Sequence, residues 1–456
     1  MINFTRHCSI HLDSWLVGRD RRPLVVRGAR QVGKSHAIRA WANANFGAKK
    51  FLEINLESSD RFRAVFSGDL NASSILDELN LLTGFNLREP NQLLFIDEIQ
   101  AVPSAITALR FLYEQFPQLA VIAAGSLLEF ALDGAGVPVG RIEYLHVNPF
   151  SFREFLEVLS RQQLADFIAS HTGSNQFELA VPEAIHIELL SLLKLYMRVG
   201  GMPKAVVAYA ETRDITEVAR EQRLILQTYE EDFTKYAKRS QIETLHQTFS
   251  RVPHVVALQR VQYRKVDPDV RIEKTKRSLE LLQRARIISR VTCSRATVLP
   301  LAAEEKHEFF KILFLDIGLL QHALGFDWTI IDSSTELSNI ADGRFAEQFV
   351  GQELIAERSG ASLYNLHYWD RSNPGAEAEV DYLIEYANSV APLEVKRGLQ
   401  GSLRSLHTYI STHSPSHAFV ASQRNRACVD TLQWIPLYLA GQLKGCCFGA
   451  GQLKRD

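Results

Sequence analysis

The chain has 456 residues, of which 46% are hydrophobic and 23% are charged, and its formal net charge is −1. This composition excludes fibrous and disordered proteins, and the near-neutral charge excludes a strong field over the whole molecule for nucleic acid or membrane. Five cysteines without zinc-site or disulfide spacing, and an N-terminus without an apolar signal segment, favour a cytoplasmic protein. No window of about eighteen apolar residues predicts a membrane span. The length predicts two to four domains.

A phosphate-binding pattern directly follows the first apolar run, at residues 24–26. Residues 28–35 read GARQVGKS and match G-x-x-x-x-G-K-S at every fixed position. Glycines let backbone N–H groups turn inward around a polyphosphate, Lys34 can reach the β- and γ-phosphates, and Ser35 can bind Mg²⁺. The alternative is a tight strand-to-helix turn with a solvated lysine. The expected nucleotide-binding residues of this loop are Gly28, Ala29, Arg30, Gln31, Val32, Gly33, Lys34, Ser35 and His36.

Four further apolar runs follow the loop: KKFLEINL, NQLLFIDEIQ, QLAVIAAGS and RIEYLHVNPF. Short apolar runs between helical or polar segments predict a parallel sheet covered on both faces, in which ligands bind at the carboxyl ends of the strands. One of these ends carries Asp97 and Glu98. We expect Asp97 to hold Mg²⁺ and Glu98 to polarise the attacking water. The alternative is an acidic strand end that caps the next helix.

Two polar residues near the later strands have open interpretations. Ser126 follows VIAAG and either contacts the γ-phosphate or its water, or N-caps the helix LLEFAL. Arg141 follows a loop rich in glycine and proline. It either brings charge to the γ-phosphate, in cis or from a neighbouring subunit, or is a surface arginine at the start of a strand. Action from a neighbour would require an oligomer.

The middle of the chain is helical, with a stop and restart at Gly200, Gly201 and Pro203. Residues 261–300 then contain four acidic and ten basic side chains, the latter being Arg264, Lys265, Arg271, Lys274, Lys276, Arg277, Arg284, Arg286, Arg290 and Arg295. A helix followed by a hairpin is how a winged-helix module ends, and such a module can place a basic helix on DNA. We expect phosphate contacts from Lys274, Lys276 and Arg277. A solvated face or a surface for a protein partner is the alternative.

Three acidic elements follow in the last third. Glu347 lies at the margin of the apolar stripe of the helix GRFAEQFVGQELIAE. In EVDYLIEY, Asp381 points away from the apolar face, and in PLEVKRG, Glu394 and Lys396 point the same way. Carboxylates and a lysine on adjacent strands, with a third carboxylate on a helix, predict a Mg²⁺ or Mn²⁺ site of oxygen ligands. The alternative is an inert fold in which these charges form ion pairs.

These motifs together resemble the AAA-type ATPases of bacteria and archaea that carry a C-terminal domain of unknown function. The resemblance is specific in GARQVGKS and LLFIDEIQ and continues in VNPFSFREFL, LKLYMRVGGMPKAV, YEEDFTKYAK and KILFLDIGLL. Ala29 stands where the family often has proline, and Ser35 where threonine is common. The Asp…Glu-x-Lys order also resembles the PD-(D/E)xK nuclease superfamily. That resemblance implies that Asp381 and Glu394 bind metal, that Lys396 assists the water, and that Glu347 completes the site.

The expected architecture is α/β with four parts. These are a P-loop ATPase domain with a parallel sheet (1–155), a helical lid (156–240), a winged-helix-like basic segment (241–300) and a restriction-endonuclease-like α/β domain (301–456). ATP and Mg²⁺ are the expected cofactors. Two functions stay open: an ATP-driven enzyme that cuts nucleic acid, or a nucleotide switch that binds a protein partner and has an inactive nuclease-like domain. A metabolic kinase fits less well because Glu98 suits water activation.

Overall fold

The computed structural model describes residues 6–68, 70–131, 140–171, 180–256, 260–326, 343–373, 376–396 and 402–444. Within these ranges the first part of the chain forms a parallel sheet in the order β2-β3-β4-β1-β5. Its strands are β1 (Leu24–Arg27), β2 (Phe51–Asn55), β3 (Leu93–Asp97), β4 (Ala120–Ala124) and β5 (Glu143–His146). The predicted parallel sheet is therefore confirmed. Strand β4 lies between β1 and β3, so the acidic strand end is two strands away from the loop strand.

Helices cover both faces of this first sheet, because its central strands are apolar on both sides. Val26, Phe95 and Ile122 belong to one hydrophobic cluster, whereas Val25 and Val121 belong to the cluster on the opposite face. The helices here are α1 (Ser9–Leu16), α2 (Lys34–Asn45), α3 (Asp60–Val65), α4 (Ala72–Thr83), α5 (Pro103–Gln115) and α6 (Leu128–Ala131).

The middle of the chain is helical, as its pattern predicts. Its helices are α7 (Phe152–Val158), α8 (Gln162–Ala169), α9 (Glu183–Val199), α10 (Pro203–Thr212), α11 (Ile215–Tyr236), α12 (Arg239–Val255), α13 (Tyr263–Val266) and α14 (Ile272–Arg284). A capping box of Ser151 and Glu154 starts α7. Helix α9 stops at Gly200, and Pro203 begins α10 at a position where its missing N–H costs nothing.

A second, mixed sheet has the order β12-β13-β11-β10-β9-β8-β6-β7. Its strands are β6 (Ile288–Ser294), β7 (Glu305–Phe314), β8 (Leu366–Asn373), β9 (Ala376–Tyr386), β10 (Ser389–Val395), β11 (Ala418–Ser422), β12 (Ala427–Val429) and β13 (Leu432–Pro436). Helices α15 (Ile317–Ala323), α16 (Gly343–Arg358) and α17 (Arg404–His413) complete this part.

The hairpin expected at the end of a winged helix is present but does not stand free. Strands β6 and β7 are antiparallel neighbours directly after α14, and β6 also pairs with β8 in parallel. The hairpin is thus built into the second sheet, and it crosses the domain boundary expected at residue 300. Sequence order alone did not reveal this, because the pairing of β6 with β8 joins residues more than seventy positions apart.

Candidate functional site

The phosphate-loop pattern forms the bend between β1 and α2. A Cβ atom on Gly28 would overlap the carbonyl oxygen of Val147, so only glycine fits at this point. Gly33 has φ = 87°, in the left-handed region that glycine adopts without strain, and α2 begins immediately after it. The amino end of α2 therefore faces the bend, where its dipole favours an anion.

The other loop residues divide into buried and exposed positions. Ala29 and Val32 are buried and belong to the first hydrophobic cluster. Gln31 has a left-handed backbone (φ = 64°), which helps to curve the loop. His36 is exposed on the first turn of α2. Of these four residues, the two apolar ones anchor the loop to the core and do not face solvent.

Lys34 folds back across the loop. Its Nζ donates hydrogen bonds to the carbonyl oxygens of Gly28, at 3.0 Å, and Ala29, at 2.8 Å. The side chain is buried, and this burial lowers its pKa to about 8, although Glu98 and Asp97 oppose the shift. The ammonium is thus held by neutral carbonyl dipoles at the centre of the bend, where a phosphate would offer it a stronger partner.

Ser35 and Asp97, the two residues expected to bind Mg²⁺, are in contact. The Ser35 hydroxyl donates to Oδ1 of Asp97 at 2.9 Å. Arg39 approaches the other oxygen of Asp97 at 3.4 Å and also pairs with Glu53. Burial raises the pKa of Asp97. A hydroxyl and a carboxylate at this spacing suit Mg²⁺ that is also bound by phosphate oxygens and water.

Glu98 and Ser126 are brought together because β4 lies between the loop strand and β3. Glu98 has a left-handed backbone (φ = 52°), and its Oε2 accepts a hydrogen bond from Nε2 of Gln100 at 2.5 Å. The hydroxyl of Ser126 donates to the same oxygen at 3.4 Å. Ser126 therefore sits beside the expected water-polarising carboxylate.

Arg141 lies at the end of the first sheet that is opposite to the phosphate loop. It precedes β5, whose first residue, Glu143, donates its backbone N–H to Pro23 just before β1. The strands are parallel, so this is the edge where they begin, whereas the loop follows their ends. Arg141 pairs with Glu114 at 3.0 Å and is half exposed. This position agrees with the surface-arginine interpretation, and a contact with a γ-phosphate would have to be made in a neighbouring subunit.

Helix α11 packs on the loop through residues to which the sequence assigned no role. Arg30 places Nη1 3.0 and 2.9 Å from the two carboxylate oxygens of Asp232, and Tyr229 donates its hydroxyl proton to the Arg30 carbonyl at 2.8 Å. Asp232 is buried although it lies on a strongly polar helix. The only sequence signal for this contact is YEEDFTKYAK, where a tyrosine and an aspartate three residues apart share one helix face.

Arg6 joins the same loop to the start of the helical part. Its guanidinium donates to the carbonyl oxygens of Val32 and Asn148, each at 2.7 Å, and to the carboxylate of Glu154 at 2.8 Å. Arg6 and Glu154 are both buried. A buried, fully paired arginine fixes geometry because its planar donor fork fits few arrangements.

The basic segment is divided by the fold. Three of its ten basic residues turn inward: Arg286 pairs with Glu129 at 2.7 Å, Arg284 donates to the Glu129 carbonyl at 2.6 Å, and Arg290 lies over the Phe310 ring. The other seven are exposed, and they are Arg264, Lys265, Arg271, Lys274, Lys276, Arg277 and Arg295. The positive surface therefore contains fewer basic residues than the ten counted in the sequence. It includes the three residues that are expected to contact phosphates.

The four C-terminal residues singled out from the sequence converge on one face of the second sheet. Asp381 lies on β9 and accepts a hydrogen bond from the backbone N–H of Val395 at 2.7 Å, next to Glu394 on β10. Lys396 pairs with Glu394 at 2.6 Å. Glu347 reaches the same cluster from α16. We call this cluster, together with Glu379 and Lys311 described next, the acidic centre.

Sequence reasoning missed two members of the acidic centre, Lys311 and Glu379. Lys311 enters from β7, and its Nζ lies 2.9 Å from Glu347, 2.6 Å from Glu379 and 3.6 Å from Asp381. Glu379 was detectable, since it precedes Asp381 by two positions and shares its strand face. Lys311 was not, because it stands in the apolar run KILFLDIG, seventy residues before Asp381 in the chain.

Burial and neighbouring charges shift the pKa values of side chains in the acidic centre. Burial raises the pKa of Glu347 to about 8 and that of Glu394 to about 7, although nearby lysines oppose both shifts. Burial alone would lower the pKa of Lys311, but the surrounding carboxylates raise it well above its usual value. Across the described ranges, no group of three or more histidine, cysteine, aspartate or glutamate side chains is arranged to hold a metal ion. Besides Lys396, the expected oxygen-ligand site thus contains a second ammonium, that of Lys311, which the sequence did not predict.

Three family models match separate parts of the chain. Residues 20–156 match the model described as "AAA domain". Residues 190–329 match "Domain of unknown function (DUF8612)", and residues 342–439 match "Domain of unknown function (DUF4143)". No curated protein matches this chain. The phosphate loop, the parallel sheet and the first match together identify an AAA-type P-loop domain in the first third.

Several solved structures are similar to this chain at low identity. A Walker-type ATPase of Pyrococcus abyssi is 15% identical, with 70% of this chain and 98% of that chain covered and a TM-score of 0.43. The ORC1 protein of Aeropyrum pernix in complex with DNA is 11% identical over 70% and 90%, with a TM-score of 0.27. The RuvB Holliday junction branch migration motor of Thermotoga maritima is 13% identical over 62% and 87%, with a TM-score of 0.29. These values are too low to support a functional argument.

None of the described helices combines the length and the apolar character needed to cross a bilayer.

Proposed function

We propose that the chain binds and hydrolyses ATP with Mg²⁺ and that this reaction switches its C-terminal part. The observation that carries the proposal is the arrangement of four side chains around the loop. Lys34 lies inside the bend, Ser35 contacts Asp97 at 2.9 Å, and Glu98 follows on the same strand end. Phosphoryl transfer needs a cradle for the phosphates, ligands for the metal ion and a group that orients water, and these residues supply each of them.

Each residue has a separate role in the proposed reaction. Lys34 exchanges its carbonyl partners for β- and γ-phosphate oxygens. Ser35 and Asp97 would hold Mg²⁺, which neutralises charge on the phosphates when it is bound. Glu98 accepts a proton from the attacking water, and Ser126, hydrogen-bonded to Glu98, keeps that carboxylate in position.

The test is a comparison of nucleotide binding and phosphate release in three variants. Lys34→Ala should lose ATP binding. Glu98→Gln should keep binding and lose at least about a hundredfold in hydrolysis, because a positioned base contributes about 10²–10⁴-fold. Lys49→Ala removes an exposed lysine of the same domain and should behave as wild type. Tight ATP binding by Lys34→Ala would contradict the assignment of the loop.

Helix α16 supports the switch because it joins the acidic centre to residues at the start of the helical part. Near its amino end, Glu347 belongs to the acidic centre. Farther along, Gln352 donates to the Tyr196 hydroxyl at 2.9 Å and to Asp316 at 3.2 Å, and Glu353 accepts the backbone N–H of Phe152 at 2.8 Å. One rigid element therefore spans the distance between the acidic centre and the start of the helical part.

A hydrogen-bonded path continues from α16 to the loop. Asp316 accepts the backbone N–H of Gly201 at 2.6 Å, and Gly201 in turn accepts the N–H of Phe150 at 2.7 Å. Phe150 lies three residues after Val147 in the chain, and the Val147 carbonyl oxygen packs against Gly28 of the phosphate loop. A shift of the loop on nucleotide binding would thus be passed through packed groups to α16.

Nucleic acid is the partner that the exposed basic surface fits. Lys274, Lys276 and Arg277 lie on the solvent side of α14, where contacts to phosphates would be independent of sequence. A protein partner with an acidic surface is the alternative. Binding of labelled DNA and RNA over a range of salt concentrations separates the two, since phosphate contacts give a steep salt dependence.

Cleavage of nucleic acid is the second candidate function, and the convergence of Glu347, Asp381, Glu394 and Lys396 favours it. In this role Asp381 and Glu394 would bind Mg²⁺, and Lys396 would assist the water. Single- and double-stranded DNA and RNA are incubated with Mg²⁺ or Mn²⁺, with and without ATP. If Glu394→Gln loses cleavage and keeps ATP hydrolysis, the cleavage activity belongs to the acidic centre. If the protein hydrolyses ATP but cleaves none of these substrates, the switch is the function that the result supports.

A further inference from the structure

The acidic centre already contains a cation. Lys311 is 1% exposed, and its ammonium has three hydrogens and three carboxylates within ion-pair distance. These carboxylates come from α16 and β9, so the ammonium ties the helix to the sheet. The ring of Tyr368 adds a further favourable contact, with its centre 5.1 Å from Nζ.

The ammonium and a divalent metal ion would compete for the same oxygens. Mg²⁺ takes near-octahedral oxygen ligands at about 2.0–2.1 Å. Glu347 and Asp381 are two of the expected ligands, and both lie against Lys311. A dication bound there would be a few ångströms from a buried positive charge, which the low-polarity surroundings would screen poorly.

The remaining expected groups are also engaged. Oδ2 of Asp381 accepts the backbone N–H of Val395, and Lys396 is paired with Glu394. Oε2 of Glu394 is buried and accepts no hydrogen bond from the residues that the structure describes. The orphaned oxygen of Glu394 lies beside an aspartate that already faces a backbone N–H and the Lys311 ammonium, and this arrangement does not make a coordination shell for Mg²⁺, which needs several oxygen ligands.

We propose that Lys311 is the resident cation of the acidic centre: its ammonium takes the place of a divalent metal ion, so the centre is metal-free and does not cut phosphodiester bonds. This inference rests on the proposed switch and specifies what its C-terminal part does. The ion pairs of the centre join the amino-terminal part of α16 to the second sheet. In the proposed switch, α16 is the helix through which the nucleotide site acts on the C-terminal part.

The test is a titration with Mn²⁺ in the absence of nucleotide, followed by electron paramagnetic resonance and by thermal unfolding. Wild type should bind no Mn²⁺ at the acidic centre, and Asp381→Asn should therefore leave the Mn²⁺ titration unchanged. Lys311→Met removes the ammonium and keeps an unbranched side chain that is one heavy atom shorter. It should gain an Mn²⁺ site and unfold several degrees higher with Mn²⁺ than without it, and adding Asp381→Asn should abolish both gains.

Two outcomes would overturn the proposal. The first is Mn²⁺ binding by wild type that disappears in Asp381→Asn. The second is a folded Lys311→Met protein that binds no Mn²⁺. If Lys311→Met does not fold without metal, the comparison of wild type with Asp381→Asn still shows whether the acidic centre binds Mn²⁺. ATP hydrolysis, measured on the same proteins, reports separately on the proposed function, because Lys311 and Asp381 do not contact the phosphate loop.

Discussion

Lys34 and Lys311 are both buried lysines, and their neighbours give them opposite roles. Lys34 faces two neutral carbonyl oxygens, and its burial lowers its pKa to about 8. Lys311 faces three carboxylates, which raise its pKa well above the usual value. A lysine whose hydrogen bonds go to neutral carbonyl oxygens gains from an incoming phosphate, whereas one already paired with three carboxylates gains little. Residue type and burial alone would not separate the lysine that we propose binds phosphate from the one that we propose is structural.

His7 provides a test of pH dependence at the residue scale. Its Nε2 lies 3.0 Å from Glu157, and its Nδ1 lies 3.6 Å from Glu357. Burial lowers the pKa of His7, but the contacts with these carboxylates outweigh it and raise the pKa to about 9. In the unfolded chain the pKa of histidine is about 6.5. The stabilisation is therefore complete below about pH 6.5 and is lost as the pH rises through about 9.

The measurement is urea unfolding of wild type and His7→Gln at pH 6 and pH 9.5. At pH 6 the wild type should be more stable by roughly 1–3 kcal/mol, the lower values reflecting screening of a side chain that is partly exposed. At pH 9.5 the difference should nearly vanish. A difference that does not change with pH would show that the His7 contacts are not ionic.

At the scale of elements, α11 shows how one helix face acquires a role through packing. Its sequence predicts an amphipathic helix, and the structure contains one from Ile215 to Tyr236. Which surface the helix covers depends on contacts with residues about two hundred positions earlier. Tyr229 and Asp232 meet Arg30 there, so this helix holds the phosphate loop from outside.

Asp232→Asn tests that contact. The substitution keeps the shape of the side chain but removes the carboxylate that pairs with Arg30, and it leaves Lys235 with Glu57 as its remaining partner. We expect a loss of about 1–3 kcal/mol in the free energy of unfolding and faster amide exchange in residues 28–33. Glu231→Gln changes the exposed neighbour and should stay within about 0.5 kcal/mol of wild type. Equal effects of the two substitutions would argue against a role for α11 at the loop.

At the scale of the whole molecule, the functional regions are joined by buried polar contacts. Gln352 bonds both to Tyr196 in α9 and to Asp316 before α15, and its Oε1 accepts the backbone N–H of Ile317 at 2.8 Å. Buried polar networks of this kind have few alternative arrangements, because each unpaired group costs free energy. We therefore expect a change at one end of this network to be accompanied by a change at the other.

Amide hydrogen exchange with and without ATP tests this coupling. In wild type, ATP should change the exchange rates of α16 and β9 as well as those of the phosphate loop. Gln352→Leu should keep ATP binding within a fewfold of wild type and lose most of the change in β9, because the polar link is removed. Lys34→Ala is the control in which ATP should change none of these segments. A full response of β9 in Gln352→Leu would rule out this path.

By itself, the amino-acid sequence determined the phosphate loop, the parallel sheet behind it and the acidic strand end beside it. Those features depend on short-range rules: glycine spacing, apolar runs and the alternation of side chains along a strand. The same rules identified Glu347, Asp381, Glu394 and Lys396 as one group. They could not place the hairpin in the second sheet or put Arg141 at the far sheet edge.

Only the tertiary structure decided which distant charges meet. Lys311 reaches Asp381 because β7 and β9 lie in one sheet, with α16 packed across it. Arg30 reaches Asp232 because α11 covers the loop. The physical reason is that an ion pair between distant segments leaves no local pattern, since its partners need only charge and proximity. Proximity is a property of the packed chain, and the sequence around each partner does not encode it.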